Sequence, residues 1–160
     1  MPPDESAVRE AYRAVTVAAA AAGPVSAADV LISPMRTGGT ELLVGVVRDP
    51  VWGPMIAVAI GGIFVEVLQD SALAPVPVTA AQARRMLATL RGRALLDGAR
   101  GGAPADLTAL SAVIARIGDL AAALGDDLES LEVNPLWVDG ATVEALDAVV
   151  TWTSTGGEPS

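Results

Sequence analysis

Glu132, Asn134 and Asp147 are the residues whose types and spacing best suit chemistry. In Glu132-Val133-Asn134-Pro135-Leu136, strand alternation puts Glu132 and Asn134 on one face. The Asp139-Gly140 pair is a strong hairpin signal. It returns the chain so that Ala145-Leu146-Asp147 comes back beside them, in a register the sequence does not reveal. An amide carbonyl and a carboxylate are hard oxygen donors, suited to Mg²⁺ that takes most of its remaining ligands from nucleotide phosphates. Taken alone, an Asn-Pro near a strand end is more often a turn device, and both readings stand.

Weaker candidates lie earlier. Gly61-Gly62 follows an apolar run, and two glycines let backbone N–H groups approach a phosphate or a second chain. A plain hairpin turn explains them too. Glu41 and Glu66 interrupt apolar strands, as solvent-facing residues or as pocket carboxylates. Arg48–Pro54 is dense in turn-formers, which suits a functional loop or a structural one.

Absent residue types exclude much. There is no Cys and no His, and all ten basic residues are Arg. No disulfide, thiolate nucleophile, HExxH site or Ser–His–Asp triad is available. A P-loop lysine and a Schiff-base lysine are excluded as well. Zinc, haem and flavin are not expected. A net charge of -9 repels phosphate backbones and anionic lipid, so nucleic acid and membrane are not expected partners. The apolar run from Ala14 follows acidic residues, unlike a secretory leader, and Met55–Val65 is too short to span a bilayer. A cytoplasmic location is expected.

The elements that must position these residues follow from pattern. Apolar residues make up 52% of the 160 residues, enough for one packed core. A helix is expected over Ser6–Ala22, with Val8, Tyr12, Val15 and Ala19 on one face and Gly23-Pro24 stopping it. Strands are expected at Val30–Ile32, Glu41–Val47, Met55–Ile60 and Ile63–Leu68, the short-turned ones as an antiparallel meander. Thr79 and Gln82 form a capping-box pattern for a helix to about Leu90. Arg91–Gly102 reads as loop or broken helix. Asp106 opens and Gly125 closes a helix from Leu107 to Leu124. Leu128–Val138 and Thr142–Trp152 read as paired strands. The pattern is α+β with largely antiparallel sheet.

In order along the chain, several segments then carry a resemblance. They are Ile32-Ser33-Pro34-Met35, Gly38-Gly39-Thr40-Glu41-Leu42, Val44–Pro50, Gly53-Pro54 and Gly61–Glu66. Leu95–Gly101, Glu132–Leu136 and Ala145–Ala148 follow. The chain resembles the ATP-grasp module of ADP-forming (NDP-forming) acyl-CoA synthetases. That module also occurs in large bacterial protein-lysine acetyltransferases, and it is distantly similar to the succinyl-CoA synthetase β-subunit. The resemblance covers roughly Ala7 to Val150.

The resemblance implies an ATP-grasp-like fold with an incomplete first lobe. Residues 6–78 would be the remnant of that lobe, 79–152 the second lobe, and 153–160 a flexible tail. It implies Mg²⁺ and ATP or ADP as cofactors. Asn134 and Asp147 would be metal ligands with Glu132 supporting them. Ser33 and Met35 would border the adenine, Glu41 would line the site, and Gly61 and Gly62 would lie near the phosphates. No catalytic residue is assigned within the chain. The implied reaction joins an acid to CoA at the expense of ATP, releasing ADP and phosphate through a phosphohistidine.

The departures are specific. A family Arg falls at Ala74, a basic position at Val149 and a Gly at Ala59. The family's nucleotide-binding lysine and its histidine segment lie in an earlier portion without a counterpart here. Polyphosphates are usually clamped by Lys or Arg, so the chain is expected to be inactive alone. It would be a β-subunit-like part of a ligase, a non-catalytic module binding a partner or ligand, or a piece of a longer protein. Strands missing from the first lobe would bare a sheet edge. That implies a homodimer or a complex with a CoA-binding, phosphohistidine-bearing subunit.

Overall fold

The computed structural model describes residues 4–22, 30–61 and 70–153. They fall into two compact units, residues 1–36 and 37–160.

In the first unit, α1 spans Glu5–Ala22. Its start is set by Asp4, whose carboxylate accepts the Ala7 N–H at 2.8 Å and the Ser6 hydroxyl at 2.9 Å. The Ala7 N–H, then the Ser6 hydroxyl, hold the Asp4 carboxyl below the ordinary aspartate range. The Arg9–Glu5 pair, 2.6 Å apart, spans one turn. The expected helix is therefore present, one residue longer. No α1 residue is buried.

The strand expected at Val30–Ile32 is not formed, since residues 30–37 have no regular structure. Pro34 removes a ladder donor, and Leu31 and Ile32 remain exposed without a strand partner among the described residues. The strand expected at Ile63–Leu68 lies outside the described residues.

The second unit is one sheet backed by two helices. The sheet contains β1 (Thr40–Asp49), β2 (Gly53–Ile60), β3 (Ser71–Pro75), β4 (Leu128–Asp139), β5 (Thr142–Ala145) and β6 (Ala148–Trp152). Their order is β3-β2-β1-β4-β5, with β6 also on β4, and every pairing is antiparallel. Glu41–Val47 and Met55–Ile60 form as expected, within β1 and β2, and they build an antiparallel meander with β3, which was not expected. Its third strand, Ser71–Pro75, was hidden by the prolines of Ala-Pro-Val-Pro. Pro75 is tolerated because β3 lies at the sheet's edge.

Within this sheet β1 pairs along β4 from Thr40↔Val138 to Val47↔Ser130. Among the described residues β1 and β2 are interior, and the sheet's margins are β3 on one side and β5 with β6 on the other.

Alternation explains the core. Leu42, Val44 and Val46 of β1, Ile56 and Val58 of β2, and Leu131, Val133 and Leu136 of β4 are buried in one cluster. The cluster also holds Ala83, Met86 and Leu87 of α2 (Ala80–Thr89), and Leu110, Ile114, Ile117 and Ala121 of α3 (Leu107–Leu124). Both helices start as their sequences dictate. The Thr79 hydroxyl accepts the Gln82 N–H while the Gln82 side chain accepts the Thr79 N–H, a complete capping box. Asp106 Oδ1 accepts the Thr108 and Ala109 N–H groups at 2.8 and 3.1 Å. By length and composition Leu107–Asp127 could cross a membrane. In the fold, Leu110 and Ile114 are fully buried, as in a core helix.

Candidate functional site

The sheet face away from the helices carries Glu41, Leu43 and Gly45 of β1 beside Glu132 and Asn134 of β4. Gly45 lies opposite Glu132, and alternation keeps the others on the same side. Glu41, Glu132 and Asn134 are exposed.

Pairing between β1 and β4 slips near Asn134. Leu42 faces Leu136, but Val44 faces Val133. Leu43 therefore stands against two residues, Asn134 and Pro135, which is a bulge. Pro135 has no N–H to give a ladder, so the irregularity falls where the sequence cannot sustain regular pairing. The same point divides the returning strand. Thr142–Trp152, expected as one strand, is β5 and β6 separated by Leu146-Asp147.

The register set at the Asp139-Gly140 turn runs through this point unshifted and brings Asp147 to Asn134. Pairing of Leu136 with Ala145 and of Val133 with Ala148 leaves Asn134 opposite Asp147. The Asn134 N–H donates to the Asp147 carbonyl at 3.1 Å, and the Leu146 N–H to the Pro135 carbonyl at 3.0 Å. The Asp147 carboxylate accepts the Ala148 N–H through Oδ1 at 2.8 Å, leaving Oδ2 as a donor to a cation. The Asn134 amide donates through Nδ2 to Glu132 Oε1 at 3.1 Å.

The structure thus unites Glu132, Asn134 and Asp147. Two hard oxygen donors at one point fit a divalent cation that also takes phosphate or water ligands. Among the described residues no group of three or more His, Cys, Asp or Glu could hold a metal by itself. Glu132, Asn134 and Asp147 lie on an exposed part of the sheet. One depression is lined by Arg48, Pro50, Glu129 and Thr153, and another lies between β3 and α2, and neither is lined by Asn134 or Asp147.

The other expected residues lie on several segments. Ser33 and Met35 are exposed members of the irregular segment in the first unit. Gly62 and Glu66 lie outside the described residues. Glu41 lies opposite Trp137, on the same sheet face as Asn134. Gly61 is not a free phosphate donor, because its N–H donates to the Glu41 carbonyl at 2.6 Å. A Cβ there would stand 2.9 Å from the Glu41 carbonyl oxygen, so the glycine serves a close approach of two strands.

The Arg48–Pro54 loop resolves as structure. Arg48 donates to the Gly125 and Leu128 carbonyls at 2.8 and 3.4 Å and pairs with Asp126 at 3.2 Å. It neutralises the negative end of α3. Asp49 Oδ1 accepts the Val51 and Trp52 N–H groups, both at 2.8 Å, closing the β1–β2 turn.

Trp137 is the residue that sequence reasoning missed. It is buried on the site's face between Glu41 and Glu144 in register. Its indole N–H donates to the Gly38 carbonyl at 3.0 Å. A Cβ on Gly39, whose φ is +69°, would lie 2.5 Å from that indole nitrogen, so Gly38-Gly39 is a lid that only glycine can form. The available signal was a lone Trp just before the Asp-Gly hairpin.

Comparison with known proteins bears on this geometry. A sequence profile of the ATP-grasp domain matches residues 3–151. Acetate–CoA ligase (ADP-forming) I subunit beta of Pyrococcus furiosus is 35% identical over 146 residues, 91% of this chain and 62% of the relative. The II subunit beta of the same organism is 37% identical over 118 residues, 71% of this chain and 50% of the relative. The chain therefore spans only about half to three-fifths of these curated relatives. Among solved structures, Ca. Korarchaeum cryptofilum ACD1 in complex with coenzyme A matches with a TM-score of 0.83 and 26% identity. The match covers 93% of this chain and 65% of that one. The acetyl-coenzyme A synthetase 1 of that organism, bound to coenzyme A and Mg-AMPPCP, matches with a TM-score of 0.78 and 26% identity. Its phosphohistidine segment points towards the nucleotide binding site, and the match covers 93% of this chain and 64% of that one.

Proposed function

The chain belongs to the ATP-grasp domain family, and on that premise we propose that it is the β-subunit-like nucleotide-binding part of an ADP-forming acyl-CoA synthetase. The complete reaction would convert acid, CoA and ATP into acyl-CoA, ADP and phosphate. The observation that carries this reading is the meeting of Asn134 with Asp147 across the β4 bulge. Two β subunits of ADP-forming acetate–CoA ligases among its relatives support it.

Asn134 and Asp147 would hold Mg²⁺ together with the nucleotide's phosphates, and the cation would neutralise phosphate charge. The chain's own residues orient these donors. Leu42, Val44 and Val133 anchor β1 and β4 to the helices. The hairpin register holds Asn134 opposite Asp147 through the Asn134 N–H to Asp147 carbonyl bond, and the Ala148 N–H restrains the Asp147 carboxylate. Ser33 and Met35 would border the base.

With no Lys and no His, the chain would not carry the phosphohistidine step itself. A second chain bearing that histidine and the CoA site would complete the reaction, or the chain would pair with its own copy. The place of action would be the cytoplasm.

Titration with Mg²⁺·ADP, Mg²⁺·ATP and CoA tests the reading. Mg²⁺-dependent ADP binding that Asp147→Asn weakens about tenfold or more, without change in folding, is the expected result. Unchanged affinity in that variant would assign Asn134 and Asp147 to structure. The pure chain should release no ADP in response to acid and CoA, and release would refute the incomplete-site reading. The absence of Lys and His also favours a second reading, a non-catalytic module that binds a partner. Absence of any nucleotide binding in the same titration would select it.

A further inference from the structure

β3 is a sheet margin whose outer side has no strand partner among the described residues. Which of its groups point outward follows from the ladder. Met55 pairs with Pro75 and Ala57 with Leu73, and the Val76 N–H donates to the Pro54 carbonyl at 2.9 Å. Antiparallel bonding alternates, so Ala72 and Ala74, like Val76, turn their N–H and C=O groups to β2. Ser71 and Leu73 turn theirs outward, and Pro75 presents a carbonyl alone. Ser71 and Leu73 are exposed, Leu73 to 62%. Edges are commonly blunted by charged side chains, yet Ser71–Pro75 carries none.

Beside this edge a depression lies between β3 and α2, lined by Ala72, Ala74, Gln82, Arg85 and Met86 among others. The two alanines leave room there for a neighbouring strand's side chains. The segments around it carry one sign of charge. Residues 71–96 hold four arginines and no acidic residue, in a chain of net charge -9. Two of the four are engaged, since Arg93 pairs with Asp97 at 3.5 Å and Arg84 donates to the Thr108 hydroxyl at 3.4 Å. Arg85 and Arg91 are exposed, and their guanidinium groups meet no acceptor among the described residues. The Arg91 backbone is tied to the start of β3, because its N–H donates to Asp70 Oδ1 at 2.9 Å and the Gly92 N–H to Oδ2 at 2.7 Å. Those bonds occupy both oxygens of the carboxylate that precedes β3.

We propose that the β3 edge docks an extended acidic segment of a partner protein, which joins the sheet as a further strand. Ser71 and Leu73 supply the backbone hydrogen bonds. Side chains on the helix-side face of the added strand fall beside Ala72 and Ala74, next to Arg85, and carboxylates there pair with the free guanidinium. The opposite face meets Leu73, so the matching pattern is acidic, apolar, acidic. A second copy of this chain fits poorly. Pairing β3 with itself about Leu73 would set Arg85 against its own counterpart, and each Pro75 would leave a Ser71 carbonyl unpaired.

The test uses the full chain and a fluorescein-labelled peptide, Gly-Thr-Glu-Val-Glu-Thr-Gly, followed by anisotropy and by ¹⁵N NMR. The peptide should bind and shift the Ser71 and Leu73 amide signals. Its counterpart with Lys for Glu should bind at least about tenfold more weakly. Arg85→Gln should weaken binding of the acidic peptide about threefold and flatten its salt dependence, and adding Arg91→Gln should weaken it further. Leu73→Pro removes an outward N–H that no ladder bond uses and should weaken binding about fivefold. The exposed Arg85→Gln change decides the matter should Leu73→Pro fail to fold. Absence of amide shifts at about 1 mM peptide, equal binding of the Lys peptide, or affinity untouched by Arg85→Gln would overturn the proposal. Sedimentation equilibrium addresses the other occupant. A wild-type dimer that Leu73→Pro converts to monomer would overturn it in favour of a second copy.

Discussion

Gly61→Ala separates two roles for the glycine at the end of β2. A phosphate-cradling glycine would lose ligand affinity when substituted, whereas a close-approach glycine loses stability. The added Cβ would stand 2.9 Å from the Glu41 oxygen, 3.0 Å from its carbonyl carbon and 3.2 Å from its Cβ. The first two are backbone atoms, so no rotamer change relieves the contact. The strand end must back away by about half an ångström to reach ordinary separations. Overpacking of this kind costs about 2–3 kcal/mol. The gain from restricting the denatured chain returns about 0.5–1 kcal/mol. The net expectation is a loss of about 2 kcal/mol. With a urea slope of about 2 kcal/mol/M, the midpoint should fall by about 1 M at unchanged slope. Urea melts followed by far-UV circular dichroism and tryptophan fluorescence measure this. Affinity for Mg²⁺·ADP per folded molecule should not change, because the Gly61 N–H is already engaged by Glu41. An unaltered midpoint together with weakened nucleotide binding would refute the reasoning and return Gly61 to the phosphate site.

Leu110→Ala should cost about 3 kcal/mol, since Leu110 is fully buried beneath the sheet and its removal leaves a cavity; a chemical denaturation midpoint measures it. Asp106→Ala should cost about 1 kcal/mol by removing the acceptor for two N–H groups of α3, again read from denaturation. The start of α1 should depend on pH. The Asp4 carboxyl is held below its ordinary range by the Ala7 N–H and the Ser6 hydroxyl. Its contribution is therefore present above the unfolded-state value and disappears as pH falls through the lowered folded value. Hydrogen exchange at the Ala7 amide should accelerate relative to the α1 interior on acidification, and Asp4→Ala should remove that pH dependence.

The helices were legible because their signals are local. Thr79 and Gln82 lie three residues apart, and Asp106 precedes its own first turn, so each cap forms within a few residues whatever surrounds it. The Asp139-Gly140 hairpin was legible for the same reason. The absence of Cys, His and Lys is a property of composition and needs no fold. Glu132 and Asn134 could be put on one face because period two is intrinsic to a strand.

The choice of strand neighbours was decided elsewhere. No local pattern states that β1 lies between β2 and β4, or that β3, with two prolines close together, closes an edge. Pairing depends on which apolar faces can share one core, a competition among segments far apart in sequence. The irregularity of residues 30–37 follows from the same dependence, because an apolar run becomes a strand only where a ladder partner exists. Trp137 is buried by Gly38-Gly39, about a hundred residues away in the chain, and Gly61 matters only because Glu41 comes opposite it. The site itself divides along this line. The sequence alone determined its oxygen donors and the face they share on β4. Only the structure decided that Asp147 meets Asn134, because the turn after Asp139 sets the register that runs from Asp139↔Thr142 to Val133↔Ala148, and only the pairing of β1 with β4, strands far apart in sequence, decided the bulge at Asn134-Pro135.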